Sequence, residues 1–533
     1  MNIVIKDKNP IKLLTKKKYL EEDINIQAET EELDITPTTE NQVKEGLFSK
    51  VTVKGTERYL IRVVDYDGTI IKEAWLTFGS IFELPEPPEH EGLVFDGWSS
   101  PVIITNNTVI VDGNIIIGPL YYTTSGATEA DIIIDKSNVN QILVLSSFTF
   151  TEIDWGDGTI GTSRSHEYLE QGQYTVKIYG ATSLPNHMFY MGNSLGNNLI
   201  NLRFGKSVTS IGVSFCSGSK RLETIVFHSG LTNTTFDQPT KDCYRLKALI
   251  LPPCKELLGV VSSCYTLQAV VVPYGVETLK NGCFTSTYSL KYLRLPDTIS
   301  YMGPNNFRSM ALEKLTVPKK IAYCDQSAFS DIDGVIDFEI PENESGIYST
   351  MCYGCSDLRN VIVPKNAIDL EKAFHGTNLR ALSLPESVTN VKEMCRGCGE
   401  LEELYLPDGI TEMYYTCYQC YSLRKVKLPK TLVSLSGDFY YGYSLLEIEI
   451  PETVETIGAN TFAYCMSVRY IDFSKHKFIP TLVNTNVFQN LQNAYTKIMV
   501  PDELYDEWIV ATNWSDWVNL IYKRSEVIDY DNN

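Results

Sequence analysis

Two cysteine pairs, Cys395-x2-Cys398 and Cys417-x2-Cys420, stand 18 residues apart in this chain. Four thiolates at such spacing can hold a tetrahedral zinc ion. A second chemical candidate is Asp157 with His166, in Ile153-Asp-Trp155-Gly156-Asp157-Gly158-Thr159 followed by Ser165-His166. A carboxylate beside an imidazole can move a proton or bind a metal. A third is a carboxylate pair of the glycosidase kind, because Asp and Glu total 66 and sequence spacing does not fix their separation. The six histidines, His90, His166, His187, His228, His375 and His476, fall in no HExxH, GxSxG or phosphate-loop context.

The spacing of the thiols has a simpler origin. Cys243, Cys264, Cys355, Cys398, Cys420 and Cys465 each lie nine residues before a position that recurs through the chain, and Cys352, Cys395 and Cys417 lie twelve before it. They are repeat positions facing a stack, where Cys serves as a small hydrophobe. All 13 cysteines fall between Cys216 and Cys465, and an odd number argues against a disulfide scaffold. No second His or Glu cluster accompanies His166, so a structural turn with a hydrogen-bonded core histidine is the expectation. No catalytic residue, metal site or cofactor is expected, and the chain reads as a non-enzyme.

The recurring position is a proline: Pro252, Pro273, Pro296, Pro318, Pro341, Pro364, Pro385, Pro407, Pro429 and Pro451 follow one another at 21 to 23 residues. Gly205, His228 and Ser474 hold the same phase, and Pro501 closes the series. A period of this length specifies stacked coils with a continuous core. Each proline ends an alternating stretch such as Leu401-Glu-Glu-Leu404-Tyr-Leu406-Pro407, a half-buried strand that proline cannot continue. Units such as Thr453-Val-Glu-Thr-Ile457-Gly458-Ala-Asn-Thr-Phe462-Ala-Tyr-Cys465 lead back to the next strand. These lines resemble the BspA-type leucine-rich repeat of bacterial surface proteins, over about 300 residues. Lys320-Ile-Ala-Tyr-Cys324 and the Asp333-Gly334 unit drift from the pattern, so irregular geometry is expected there.

Three pieces precede the repeats. Residues 57–123 carry Val64-Asp-Tyr-Asp67-Gly68-Thr69 and Gly92-Leu-Val-Phe95-Asp-Gly97-Trp98 between short alternating strands. This string resembles the B-repeat of listerial internalins, which implies a β-grasp-like spacer. Residues 124–181, with the WGDGT turn and Gly172-Gln-Tyr174-Thr-Val-Lys-Ile178, resemble the PKD fold, an immunoglobulin-like sandwich. In residues 1–56, Leu13-Leu-Thr15-Lys-Lys-Lys18-Tyr19 and Ile35-Thr-Pro37-Thr-Thr39-Glu-Asn41 resemble N-terminal segments of tail and other virion proteins of phages of Gram-positive bacteria. That resemblance implies attachment to other virion proteins, and agrees with an N-terminus lacking the apolar core of a secretory signal. After the repeats, Pro501-Asp-Glu-Leu504 and Trp508, Trp514 and Trp517 predict a helical cap over residues 501–533, the tryptophans plugging the open core.

The expected architecture is mainly β and multidomain: a leucine-rich solenoid over residues 182–500 behind small β-grasp-like and immunoglobulin-like domains. A formal charge of -20 argues against nucleic acid and anionic membrane as partners, and no run is long enough to span a bilayer. Side chains two and four before each proline face away from the core and align across coils. Two before, the stripe reads Ile250, Val271, Arg294, Thr316, Glu339, Ile362, Ser383, Tyr405, Lys427, Glu449 and Asp472, apolar early and charged late. The candidate binding face taken from these positions is Tyr292, Arg294, Glu403, Tyr405, Lys425, Lys427, Glu449 and Tyr470. A second ladder, Tyr244, Tyr265, Tyr288, Tyr421 and Tyr443, is expected to stack within the spine. The leading expectation is a phage virion protein, a tail fibre whose solenoid binds a host surface protein or glycan. A capsid head fibre or decoration protein and a bacterial BspA-like adhesin are the alternatives, and self-association is left open.

Overall fold

One coil forms for each proline-ended unit. The alternation around Leu404 gives the strand Glu403–Tyr405, with Leu404 buried and its neighbours outward. It pairs in parallel with Ala381–Ser383 before it and Lys425–Lys427 after it, residue for residue. The next stretch of each coil makes a second parallel ladder, as in Glu412–Tyr414, Ser434–Ser436, Thr456–Ile457 and Thr481–Leu482. A computed structural model of the chain describes residues 57–190, 194–491 and 495–527 in this way. The segment 1–56, for which virion attachment is expected, lies outside the described residues.

Between the two ladders run columns of identical side chains. Phe284, Phe307 and Phe329 stack at 5.7 and 5.3 Å between ring centroids, and Phe439, Phe462 and Phe488 at 5.6 Å each. Cys352, Cys395 and Cys417 occupy the same column in intervening coils, and Cys398 and Cys420 the column three residues on. The predicted tyrosine ladder stacks too, Tyr244 on Tyr265 at 5.0 Å, Tyr265 on Tyr288 at 5.7 Å and Tyr421 on Tyr443 at 5.5 Å. Where the pattern drifts, the second ladder breaks. Tyr323–Cys324 ends one run, Lys320–Ile321 pairs instead with Glu342–Asn343, and only single bridges join Ile347, Asp369 and Asn390.

Residues 124–181 are continuous with the solenoid. Their strand Thr128–Ile134 pairs antiparallel with Gly172–Tyr179 on one side and with Leu199–Arg203 on the other, and Leu199–Arg203 then begins the parallel ladder through Thr224–Val226. Arg203 locks this seam, reaching both Asp131 oxygens at 2.7 and 2.8 Å. One apolar core therefore extends from Ile132 and Trp155 through every coil to Trp508 and Trp514.

Residues 57–123 form a four-stranded sheet in the order Ile70–Thr77, Arg58–Val64, Ile115–Thr123, Leu93–Ser99, with the antiparallel pair Ile81–Glu83 and Thr108–Ile110 over one face. That face has its own small core of Ile61, Val63, Phe82, Val109, Ile115 and Ile117. The other face, with Val64, Ile116 and Leu120, joins the core of the solenoid. At the C-terminal end, short helical turns at Asp502–Leu504, Tyr505–Trp508 and Ser515–Leu520 bury Trp508 and Trp514, whose indole Nε1 donates to Pro480 O at 2.8 Å. The purely helical cap expected for 501–533 needs one addition. Ile521–Lys523 is a strand that prolongs the ladder beside Lys497–Val500.

Candidate functional site

The outward stripe of the first ladder falls into three stretches. In the early coils it lies beneath the small β domain, whose strand Ile115–Thr123 crosses the coils along the solenoid axis. Thr123 N–H donates to Phe204 O at 3.1 Å and Tyr121 N–H to Phe227 O at 3.0 Å. A Cβ on Gly118 would run into the Ile250 side chain, and Gly113 lies against the Arg294 guanidinium, so the two glycines permit the close approach. Ser99 Oγ donates to Leu251 O at 2.6 Å and Tyr274 N–H to Ser100 O at 2.6 Å. At the margin, Asp96 takes two hydrogen bonds from Ser229 and an ion pair from Lys206; partial burial pushes its carboxyl up, but these partners hold it below the usual range.

Arg294 is therefore not on an open surface. Its side chain is 4% exposed and grips both Asp112 oxygens at 2.6 and 2.8 Å. Tyr292 beside it is half-buried, donates to Glu313 at 2.9 Å and lies under the Arg62 guanidinium. At the far end, Tyr470 is buried against Met499 and Val527, with Tyr522 packed on them, because Ile521–Lys523 and the turn after it close over that coil. The other five expected residues are together on the uncovered middle. Glu403 and Tyr405 are half-buried, with the Tyr405 hydroxyl donating to Glu403 at 2.9 Å and Lys425 Nζ 5.7 Å from the Tyr405 ring. Lys425, Lys427 and Glu449 are exposed, Glu449 pairing with Lys475 at 2.6 Å. The uncovered stretch runs over six coils, from the strand Asp337–Glu339 to Glu447–Glu449.

The second thiol of each pair that mimics a zinc site donates a hydrogen bond to the coil before. Cys398 Sγ donates to Phe374 O at 3.0 Å, Cys420 Sγ to Cys395 O at 3.1 Å and Cys465 Sγ to Phe439 O at 3.0 Å, with Cys243, Cys264, Cys283 and Cys355 bonded alike. Burial pushes the Cys465 thiol up to about 12, and the hydrogen bond with Cys398, with burial, pushes Cys395 well up. Burial also works against the Cys398 thiolate, but its hydrogen bonds with Cys395 and Thr377 outweigh it and hold that thiol below its usual range. In the WGDGT turn, His166 Nε2 meets Asp157 at 2.7 Å, its ring stacked on Trp155 at 5.0 Å, and Trp155 N–H closes the turn on Thr159 O. His228, which replaces a strand-ending proline, is buried. Gly230 N–H donates to its Nδ1, so Nε2 carries the proton given to Val208 O at 2.9 Å.

Two features were not anticipated. Asp65, almost fully buried, meets His90 Nε2 at 2.7 Å beside Tyr66 and Tyr121, and burial pushes its carboxyl up. Asp438 is fully buried in the column that elsewhere holds Asn306, Thr416 or Thr461, accepting from Thr416 N–H at 2.9 Å and Ser436 N–H at 2.7 Å. Burial pushes it up to about 7. The signal for the covered stripe was in the sequence, in the apolar run Ile250 and Val271.

Parallel coils of two short ladders, proline-ended and packed through leucine, phenylalanine and cysteine columns, define a leucine-rich solenoid. A family model described as the BspA type leucine rich repeat region matches in six copies, over residues 175–252, 260–372 and 370–495. The chain belongs to that family. Among solved structures, it is similar to a leucine-rich repeat protein from Bacteroides ovatus (17% identity, TM-score 0.43, 71% of this chain and 100% of that one). It is also similar to a leucine rich cell surface protein from Faecalibacterium prausnitzii (15%, TM-score 0.30, 61% and 83%) and to the pneumococcal vaccine antigen PcpA (15%, TM-score 0.34, 84% and 97%). No curated protein matches the chain. No helix among the described residues is long and apolar enough to cross a membrane.

Proposed function

We propose that this protein is a non-enzymatic, surface-displayed adhesin of the BspA type, which binds a protein or glycan of another surface through the uncovered six coils of its first ladder. The observation that carries this reading is the contrast along the stripe: both ends are covered by other parts of the chain, whereas the middle presents Glu403, Tyr405, Lys425, Lys427 and Glu449. Membership of a repeat family agrees with it, because solenoids offer extended surfaces and each coil adds one independently variable row. Display on a bacterial envelope is our first placement. The virion placement rests on phrases within residues 1–56.

The test uses the full chain. Saturable binding of labelled protein to one or more members of a panel of bacterial and animal cells is expected, with about a tenfold loss in Lys425→Glu/Lys427→Glu at unchanged melting temperature. Binding to no cell type, or binding indifferent to the double variant, overturns the reading. Fractionation of producing cultures separates the placements: recovery with cell walls supports the envelope, recovery only in purified virions replaces it.

A further inference from the structure

The second ladder carries a different feature near the middle of the solenoid. In register, Glu412 and Tyr414 in one coil are followed by Ser434 and Ser436 in the next. The step from large to small leaves a hollow lined by Tyr414, Ser434, Ser436, Glu412, Lys392 and Glu371. It spans four coils, about 14 Å at the usual strand spacing. Tyr414, 46% exposed, stands nearly perpendicular to Tyr415, with ring centroids 4.6 Å apart and planes at 87°. The Tyr415 ring leans over Gly437, where a Cβ would collide with it.

Beyond Tyr415 the aromatic surface continues through Tyr418, Tyr440, Tyr441 and Tyr464, each ring within 5.6 Å of the next, with Arg396 4.7 Å above Tyr418. Three of these tyrosines sit in left-handed backbone: Tyr415 at φ 50°, Tyr441 at 63° and Tyr464 at 62°. The equivalent corners of other coils are left-handed too, with glycine at Gly354, Gly376, Gly397 and Gly437 but also Thr350, Lys372 and Glu393 at the place of Tyr415 and Ser309, Asp331 and Gln419 at that of Tyr441. The conformation therefore belongs to the coil, and the patch is distinguished by its run of rings.

The charges around the hollow are already matched. Lys392 pairs with Glu412 at 3.5 Å, and Glu393 with Lys372 at 3.4 Å and Arg396 at 2.7 Å. A charged ligand would have to displace one of these partners, whereas an uncharged polyol can hydrogen-bond to paired groups and leave the pairs intact. Aromatic faces meanwhile take the apolar C–H side of a sugar ring. We propose that the Tyr414–Tyr415 corner and the serine-lined hollow beside it form a binding site for a neutral oligosaccharide, distinct from the uncovered first ladder. The site goes beyond the adhesin reading, because it lies on the other ladder and uses none of the residues tested there.

The experiment is binding of the full chain to an array of neutral oligosaccharides of hexoses and N-acetylhexosamines and to their sialylated or sulfated counterparts. Binding to at least one neutral oligosaccharide is expected, at least as strong as to its acidic counterpart. It should fall about tenfold or more in Tyr414→Ala and in Tyr415→Gly, and stay within about twofold in Lys425→Glu/Lys427→Glu. Because glycine relieves the left-handed backbone, Tyr415→Gly should keep or raise the melting temperature while losing the sugar. No neutral sugar bound, preference for acidic sugars, or binding retained in Tyr414→Ala with its fold intact overturns the proposal. So does loss of cell binding in Tyr414→Ala without any sugar bound, which would make the corner a protein contact. Failure here leaves the adhesin reading to its own double variant.

Discussion

Ile250, Val271 and Arg294 hold the same place in their coils as Glu339, Lys427 and Glu449, yet the first three are buried and the last three exposed. The backbone around them is the same short parallel strand. What differs is the cover. Under the β domain the stripe is apolar, with one arginine whose charge Asp112 satisfies; in the uncovered coils it holds Glu, Ser, Tyr and Lys with one exposed isoleucine, Ile362. A repeat position thus has no fixed surface chemistry, and its composition records what lies over it.

The comparison breaks most sharply at Ile250. Ile250→Asp places an unpaired carboxylate against Gly118 and should cost roughly 4–5 kcal/mol in urea unfolding. A cost below about 1 kcal/mol would mean that the β domain does not rest on these coils in solution. Buried carboxylates differ between the regions too, because Asp131 is paired with Arg203 while Asp438 accepts from the Thr416 and Ser436 N–H groups. The Asp438 carboxyl is raised to about 7 in the fold from near 3.8, so its contribution is complete below about pH 4 and is lost as pH rises through 7. The span is up to about 4 kcal/mol. Asp438→Thr, with the residue neighbouring coils carry at Thr416 and Thr461, should flatten melting temperature against pH between 4 and 8. An unchanged slope would reject the assignment.

Arg294→Ala leaves Asp112 without its partner at the edge of the covered stretch and should cost about 2–3 kcal/mol, with faster hydrogen exchange across Ile115–Thr123. Lys427→Ala, in the same register on the uncovered stretch, should change stability by less than about 0.5 kcal/mol. Equal effects of these two variants would erase the distinction between the stretches.

The coils were legible because their signal repeats: a leucine, a proline and a cysteine misread in one unit are corrected by the others. The same redundancy explains the false zinc spacing, since two inner columns three residues apart generate C-x2-C wherever both carry cysteine. The cover was harder to see. Arg294 and Asp112 are 182 residues apart, and no period links a spacer domain to the coils it rests on. Its trace was the apolar start of the stripe. Tyr470 was placed on the open face because the strand that hides it, Ile521–Lys523, is too short for an alternating pattern to announce it. The tyrosine corner went unnoticed because it depends on how rings pack across coils and on the small residues of the next coil.

The strand Ile115–Thr123 also has a mechanical consequence. Coils in a solenoid touch only their neighbours, so the whole bends by summing small rotations between successive turns. A strand laid lengthwise from Phe204 to Arg294 acts as a splint over the early turns and fixes those rotations. Flexing is left to the turns from Asp337 to Glu449. The stretch free to change its curvature is the one that the rest of the chain leaves uncovered.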